Sequence, residues 1–389
     1  MSLIISLPDE TGRPERYTMR AAPIEIPSAP HRFNRVAFSA AHVVADPFAS
    51  TEPSLSPAID WSRTLEFRRH LLDLGLGIAE AMDTAQRGGG LDWTAALELI
   101  RRSLQAASPA ERDRIFSGVG TDQLAPRDAK KLDDVVRAYA EQIEAVQALG
   151  GRLILMASRA LARVASGPED YRDVYRRVLG LCDKPVILHW LGDMFDPALE
   201  GYWGADAFDK TLETALDVIN ENASKIDGIK VSLLDEAKEI AMRRRLPSGV
   251  KMYTGDDFNY PELIKGDAEG YSHALLGIFD PIAAAASAAL SALARQDIAS
   301  FDQVLAPTVP LSRLIFRAPT QYYKTGVVFL AYLNGFQDHF VMIGGAQSMR
   351  PLPYFTEVFR LADEAGLLKD PELAAARLQR FLALYGFEA

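Results

Sequence analysis

Lys230 sits in Asp227-Gly228-Ile229-Lys230-Val231-Ser232, between two β-branched residues that favour extended chain. In a strand, Ile229 and Val231 project to one side and Lys230 to the other. A strand covered on both faces would therefore carry the amine inward or to the mouth of the sheet. Burial disfavours the ammonium form. The neutral amine that results is a nucleophile toward carbonyl carbon. Paired with Asp256 or Asp83, the same lysine would only stabilise the fold. His189 ends Lys184-Pro185-Val186-Ile187-Leu188-His189-Trp190. It is a candidate for the proton transfers such an addition needs, or a structural donor at a strand end.

Other polar residues fall after apolar runs in the same way. Asp83, Thr84 and Gln86 follow one run, and Ser232 follows Lys230. Asp256 and Asp257 follow Thr254-Gly255, while His42 and His273 lie in the first and last runs. Asp83, Thr84, Gln86, Ser232, Asp256, His273 and His42 are taken as substrate-binding candidates. Asp257 reads as the cap of the next helix. His42, Asp83, His189, Asp193, Asp256 and His273 are metal-ligand types, but none shows a local spacing such as H-x-x-x-H, so no metal is assigned. Gly88-Gly89-Gly90 lacks the Lys-Ser/Thr of a phosphate-binding loop and reads as a flexible loop. No cofactor is called for.

Catalytic groups at strand ends require strands that end together. Eight apolar runs meet that need: Val36–Val44, Leu74–Met82, Arg114–Gly120, Arg152–Ala157, Pro185–His189, Gly228–Val231, Val250–Thr254 and Tyr271–Ile278. Amphipathic stretches separate them, among them Trp61–Leu74, Trp93–Leu104, Leu132–Leu149, Tyr171–Leu181, Ala205–Ile219 and Leu233–Ala241. Continuous apolar strands alternating with helices indicate a parallel sheet covered on both faces, and eight units favour closure into a (β/α)₈ TIM barrel. An N-terminal β-hairpin is expected where Leu3, Ile5 and Leu7 precede Asp9-Glu10-Thr11-Gly12, with Tyr17 and Met19 beyond it. After the eighth run only helical patterns remain, including Ile282–Arg295, Phe301–Phe316 and Gln321–Asn334. The expected organisation is 1–34 hairpin and irregular lead-in, 35–295 barrel and 296–389 a C-terminal helical extension.

The net charge is −10 and basic residues are nowhere clustered with aromatics, so neither nucleic acid nor an anionic membrane is an expected partner. Arg243-Arg244-Arg245 reads as a helix end, where cations match the dipole. The single cysteine, Cys182, excludes an intramolecular disulfide and fits a reducing compartment. It reads as a buried structural thiol. The N-terminus lacks the basic region of a secretory signal, and no apolar run reaches membrane-spanning length. A cytoplasmic protein is expected.

The chain resembles the dihydrodipicolinate synthase and N-acetylneuraminate lyase superfamily of Schiff-base (class I) aldolases, as a divergent branch. The resemblance runs from about Gly150 to Pro353. Gly228-Ile229-Lys230 is similar to the strand bearing that family's imine-forming lysine. Thr254-Gly255-Asp256-Asp257 and Gly270-Tyr271-Ser272-His273 are similar to its next two strands. Tyr323-Lys324-Thr325-Gly326 and Arg350-Pro351-Leu352-Pro353 are similar to parts of its helical C-terminal region. The resemblance implies a barrel with C-terminal helices, a homo-oligomer (dimer or tetramer), and a lysine that forms an imine with a 2-oxo acid. Two departures stand out. His189 occupies the place of a proton-relaying tyrosine. Met82-Asp83-Thr84-Ala85-Gln86 replaces the family's carboxylate-binding Gly-Thr-Thr-Gly-Glu turn. A carboxylate at Asp83 would repel an anionic substrate and suit a hydroxyl-rich one. The expectation is a lyase or aldolase acting on a small keto-acid or sugar-derived carbonyl compound. A metal-assisted isomerase, epimerase or hydrolase, and a non-catalytic ligand-binding barrel, are the alternatives.

Overall fold

The computed structural model describes residues 3–387 except Glu10, Ala21, Pro27, Ala29 and Pro30. Glu10 of the expected turn and the other four, in the expected lead-in, thus lie outside the described residues. Two compact units are present: Met1–Asn34 with His42–Leu76 and Ile278–Ala389, and Arg35–Ala41 with Gly77–Gly277.

The first unit opens with antiparallel strands β1 (Ile4–Pro8) and β2 (Pro14–Thr18), in which Ile5 faces Tyr17. Ile5, Leu7, Tyr17 and Met19 are buried, as the alternation predicts. The Tyr17 hydroxyl donates to Asp363 at 2.7 Å, which anchors the hairpin far along the chain. Helices are the rest of this unit's regular structure, and Phe329, Phe340, Phe355 and Phe381 form an aromatic cluster among them, with ring centroids 4.8–5.5 Å apart. The single helix expected over Phe301–Phe316 is two, Ile298–Leu305 and Thr308–Ile315. Pro307 lies at the break and has no amide hydrogen with which to continue the ladder.

The second unit contains, among the described residues, a closed parallel barrel of eight strands. They are β3 (Ala37–Ala40), β4 (Gly77–Glu80), β5 (Ile115–Val119), β6 (Arg152–Leu155), β7 (Val186–Leu191), β8 (Ile226–Ser232), β9 (Lys251–Thr254) and β10 (His273–Leu276). They pair in chain order, and β10 closes onto β3. With intervening helices and the C-terminal helices, this is the TIM barrel the sequence implies. No helix of the described residues is long and apolar enough to cross a membrane.

Side-chain size explains how the barrel fills. Phe38, Phe116 and Tyr253 meet edge to face, with centroids 5.1 Å and 5.9 Å apart. Ala40, Ala79, Met82, Ile154, Met156, Ile187 and Leu275 complete this cluster. β8 contributes no side chain to it, because Gly228 makes room for a ring: a Cβ there would lie 2.6 Å from Tyr253 Cε2 and 2.5 Å from the Lys251 carbonyl oxygen. Below, the Tyr253 hydroxyl donates to Asp227 at 2.6 Å and Lys251 bonds the same carboxylate at 2.9 Å. The aromatic layer with this polar seal forms a floor beneath the strands' C-terminal ends. Gly228→Ala should therefore cost about 1–3 kcal/mol, the usual penalty of overpacking, measured as a lowered midpoint in urea denaturation.

Candidate active site

β7 and β8 place the two central residues side by side. In their parallel register His189 faces Lys230, and Trp190 faces Val231. Ile187 belongs to the interior cluster, so alternation also turns His189 inward. Gly228 abuts the inward Tyr253 ring, so Lys230, two residues on, is inward as well. Trp190, of opposite parity, packs outside against Trp203 and Phe208. Gly255, just beyond β9, gives the lysine its room. A Cβ there would stand 2.8 Å from Lys230 Cε and 2.3 Å from Ser232 Oγ.

Lys230 is only 7% exposed. Burial pulls its ammonium below the usual range, while the charges of Asp83 and Asp257 pull it partly back. Among the described residues no hydrogen bond or ion pair reaches its Nζ. His189 is also buried, and burial together with Lys230 holds its imidazolium well below the ordinary range. At neutral pH it is therefore an uncharged imidazole. Its Nε2 lies 3.2 Å from Ser232 Oγ, so a hydroxyl shares the proton position between the two strands.

The loop after β4 carries Asp83 in a short 3₁₀ turn (Asp83–Ala85), half-buried, with Thr84 buried beside it. The turn lies between two non-glycine residues at positive φ, Ala81 (54°) and Gln86 (64°). Such backbone is costly and concentrates at functional loops. The Gln86 amide donates to the Gly89 carbonyl at 3.2 Å, so Gln86 shapes the Gly88–Gly90 loop. Arg87 below it is tied to Asp122 by two bonds of 2.8 Å and 2.7 Å.

Asp256 takes the turn: Oδ1 accepts from the Phe258 and Asn259 amides at 2.8 Å and 3.0 Å, and Oδ2 from Asn259 Nδ2 at 2.9 Å. Asp257, expected to cap, is the one whose charge acts on Lys230. Sequence spacing alone did not distinguish neighbours in a turn. Glu239, in α8 (Glu236–Arg243), escaped the sequence reading because its helix looks amphipathic and solvated. Its carboxyl is fully buried and accepts from Ser272 Oγ at 2.6 Å. Burial, reinforced by Asp256, pushes it up to about 8 against the opposing effect of Ser272, Thr254 and Arg243.

One expected site residue is placed at the other end of its strand. His273 opens β10 instead of closing it, at the N-terminal end of the strand. Its Nδ1 accepts from the Val36 amide at 2.9 Å, and it pairs in register with Tyr253. The apolar run Tyr271–Ile278 begins as irregular chain, so the strand starts later than the run. His42 belongs to the first unit. It is fully buried, with Nδ1 2.8 Å from Asp280 and its own amide donating to the same carboxylate at 2.7 Å. Among the described residues no group of three His, Cys, Asp or Glu side chains is arranged to hold a metal. Cys182 is a buried free thiol, pushed up to about 12 by burial.

A parallel barrel with C-terminal helices has counterparts among solved structures. The fold is that of the dihydrodipicolinate synthases. The enzyme from Aquifex aeolicus matches with a TM-score of 0.63 at 12% identity, over 86% of this chain and 99% of that one. The Thermotoga maritima enzyme matches at 0.62 and 14%, over 87% and 100%. The chloride-inhibited Acinetobacter baumannii enzyme, complexed with pyruvate, matches at 0.60 and 16%, over 86% and 99%. By sequence, the chain belongs to the family described as protein of unknown function (DUF993), which matches residues 5–387. No curated protein matches it in sequence.

The shifted protonation equilibria give two stability tests. In the folded state Lys230 releases its proton below the value of the unfolded chain, so stability is lost as pH falls from that unfolded value. Lys230→Met should thus be more stable than the parent at pH 7, and the difference should shrink as pH rises toward 10. Equal differences at both pH values would show an amine that titrates normally. Glu239 has the opposite sign. Its raised folded value makes stability fall as pH climbs from the unfolded value near 4.5 to about 8. Glu239→Gln should therefore gain on the parent in melting temperature between pH 5 and pH 8.

Proposed function

We propose that this protein is a class I lyase or aldolase in which Lys230 forms an imine with a small carbonyl compound. The reading rests on one observation above all: a buried amine whose ammonium form is disfavoured, projecting inward beside an uncharged imidazole. The Nζ lone pair adds to the carbonyl carbon, and the C=O π electrons move onto oxygen, which takes a proton while the nitrogen, now positive, gives one up. The resulting carbinolamine loses its hydroxyl as water with a second proton, leaving an iminium. His189, exchanging protons with Ser232, supplies and recovers them. The iminium then draws electrons from the neighbouring carbon, which permits a carbon–carbon bond to break or form there.

Incubation with a panel of 2-oxo acids and keto-sugars, then borohydride reduction and peptide mass mapping, tests the mechanism. A reduced adduct on the peptide containing Lys230 is expected, and Lys230→Ala should abolish it. Undiminished labelling in Lys230→Ala would refute the mechanism. His189→Phe should slow adduct formation by about 10²–10⁴-fold, the usual contribution of a general acid–base, while leaving the fold intact by circular dichroism.

A further inference from the structure

Asp83 and Asp257 approach the lysine from different directions. In the closed order of strands, β4 stands four places from β8 and therefore across the barrel, whereas β9 is the neighbour of β8. Asp83 follows β4 and Asp257 follows β9. A carbonyl compound bonded to Nζ thus sits with one carboxylate opposite and one alongside. The strand-end guanidiniums near the Asp83 loop are engaged: Arg87 holds Asp122 through two bonds, and Arg159 holds Asp196. An iminium brings one positive charge to face two carboxylates.

We infer that the compound taken at Lys230 is an uncharged hydroxylated aldehyde or ketone without a carboxylate beside its carbonyl carbon, selected by Asp83 and Asp257. This rests on the imine chemistry proposed above and names its substrate class. A carboxylate next to the carbonyl would meet the like charges of Asp83 and Asp257, which act on the buried Lys230 itself, and such repulsion grows where water is scarce. Hydroxyls instead donate to both aspartates, and hydrogen bonds to an ionised acceptor are the stronger kind.

Dihydroxyacetone and pyruvate, both three-carbon ketones, separate these cases. Borohydride trapping of the full-length protein should label Lys230 with dihydroxyacetone at least about tenfold faster than with pyruvate, since unpaired polar or charged groups are what selective sites reject. The double variant Asp83→Asn, Asp257→Asn should raise pyruvate labelling and lower that by dihydroxyacetone. Faster labelling by pyruvate in the parent would overturn the inference and leave the imine mechanism standing. Binding to Lys230→Met, followed by ligand-observed NMR, reads the selection without the imine. Preference for dihydroxyacetone there supports the charge selection even if no adduct is ever trapped, and preference for pyruvate overturns it.

Discussion

The desolvation of a single amine organises the upper half of the barrel. An ammonium group stripped of water is expensive, so the surroundings of Lys230 are arranged for a group that readily sheds its proton. The floor of Phe38, Phe116 and Tyr253 keeps water from below. Two glycines do complementary work: Gly228 admits the Tyr253 ring beneath the lysine, and Gly255 leaves space for its side chain beside β9. The hydrogen bonds that seal Asp227 to Tyr253 and Lys251 lie at the other end.

Burial acts with the same sense on three titratable groups and so divides the labour. It disfavours the charged forms of Lys230, His189 and Glu239 alike. Lys230 moves toward a free amine, His189 toward a neutral imidazole and Glu239 toward an undissociated acid. Environments that set acids and bases apart in this way are how a fold runs proton chemistry near neutral pH. Asp83 and Asp257 belong to loops, and their charges oppose the effect of burial on the lysine. Glu239 bonds Ser272 and neighbours Thr254, whose Oγ1 accepts the Asp256 amide at 3.2 Å. A buried acid thereby braces the turn from which Asp257 projects.

The barrel was legible because its signal is repetitive: eight apolar runs, each followed by a helix, leave few ways to pack. Lys230 and His189 were legible for a local reason, since alternation along a strand fixes the side from which a residue projects. What failed depended on non-repeating geometry. The run containing His273 outlasts its strand, so the histidine entered at the wrong end. The choice between Asp256 and Asp257 turned on which carboxylate could reach the amides of Phe258 and Asn259. Glu239 carries no marker at all, because an acidic residue on a charged helix is ordinarily solvated. Only packing against Ser272 reveals its burial.

A shared fold does not carry a shared substrate. The barrel fixes where the interior Lys230 on β8 points. It does not fix the sign of the field around that lysine, which comes from the loops after β4 and β9. Loops change without disturbing the barrel, because the strands are held by interior packing and by register. An acidic residue at Asp83 is therefore compatible with the same inward position of Lys230. In the imine chemistry proposed for Lys230, it would change the compounds for which an iminium is accessible. On the function proposed for Lys230, the sign of the loop charges, not the architecture of the barrel, is thus the property that selects the compound taken.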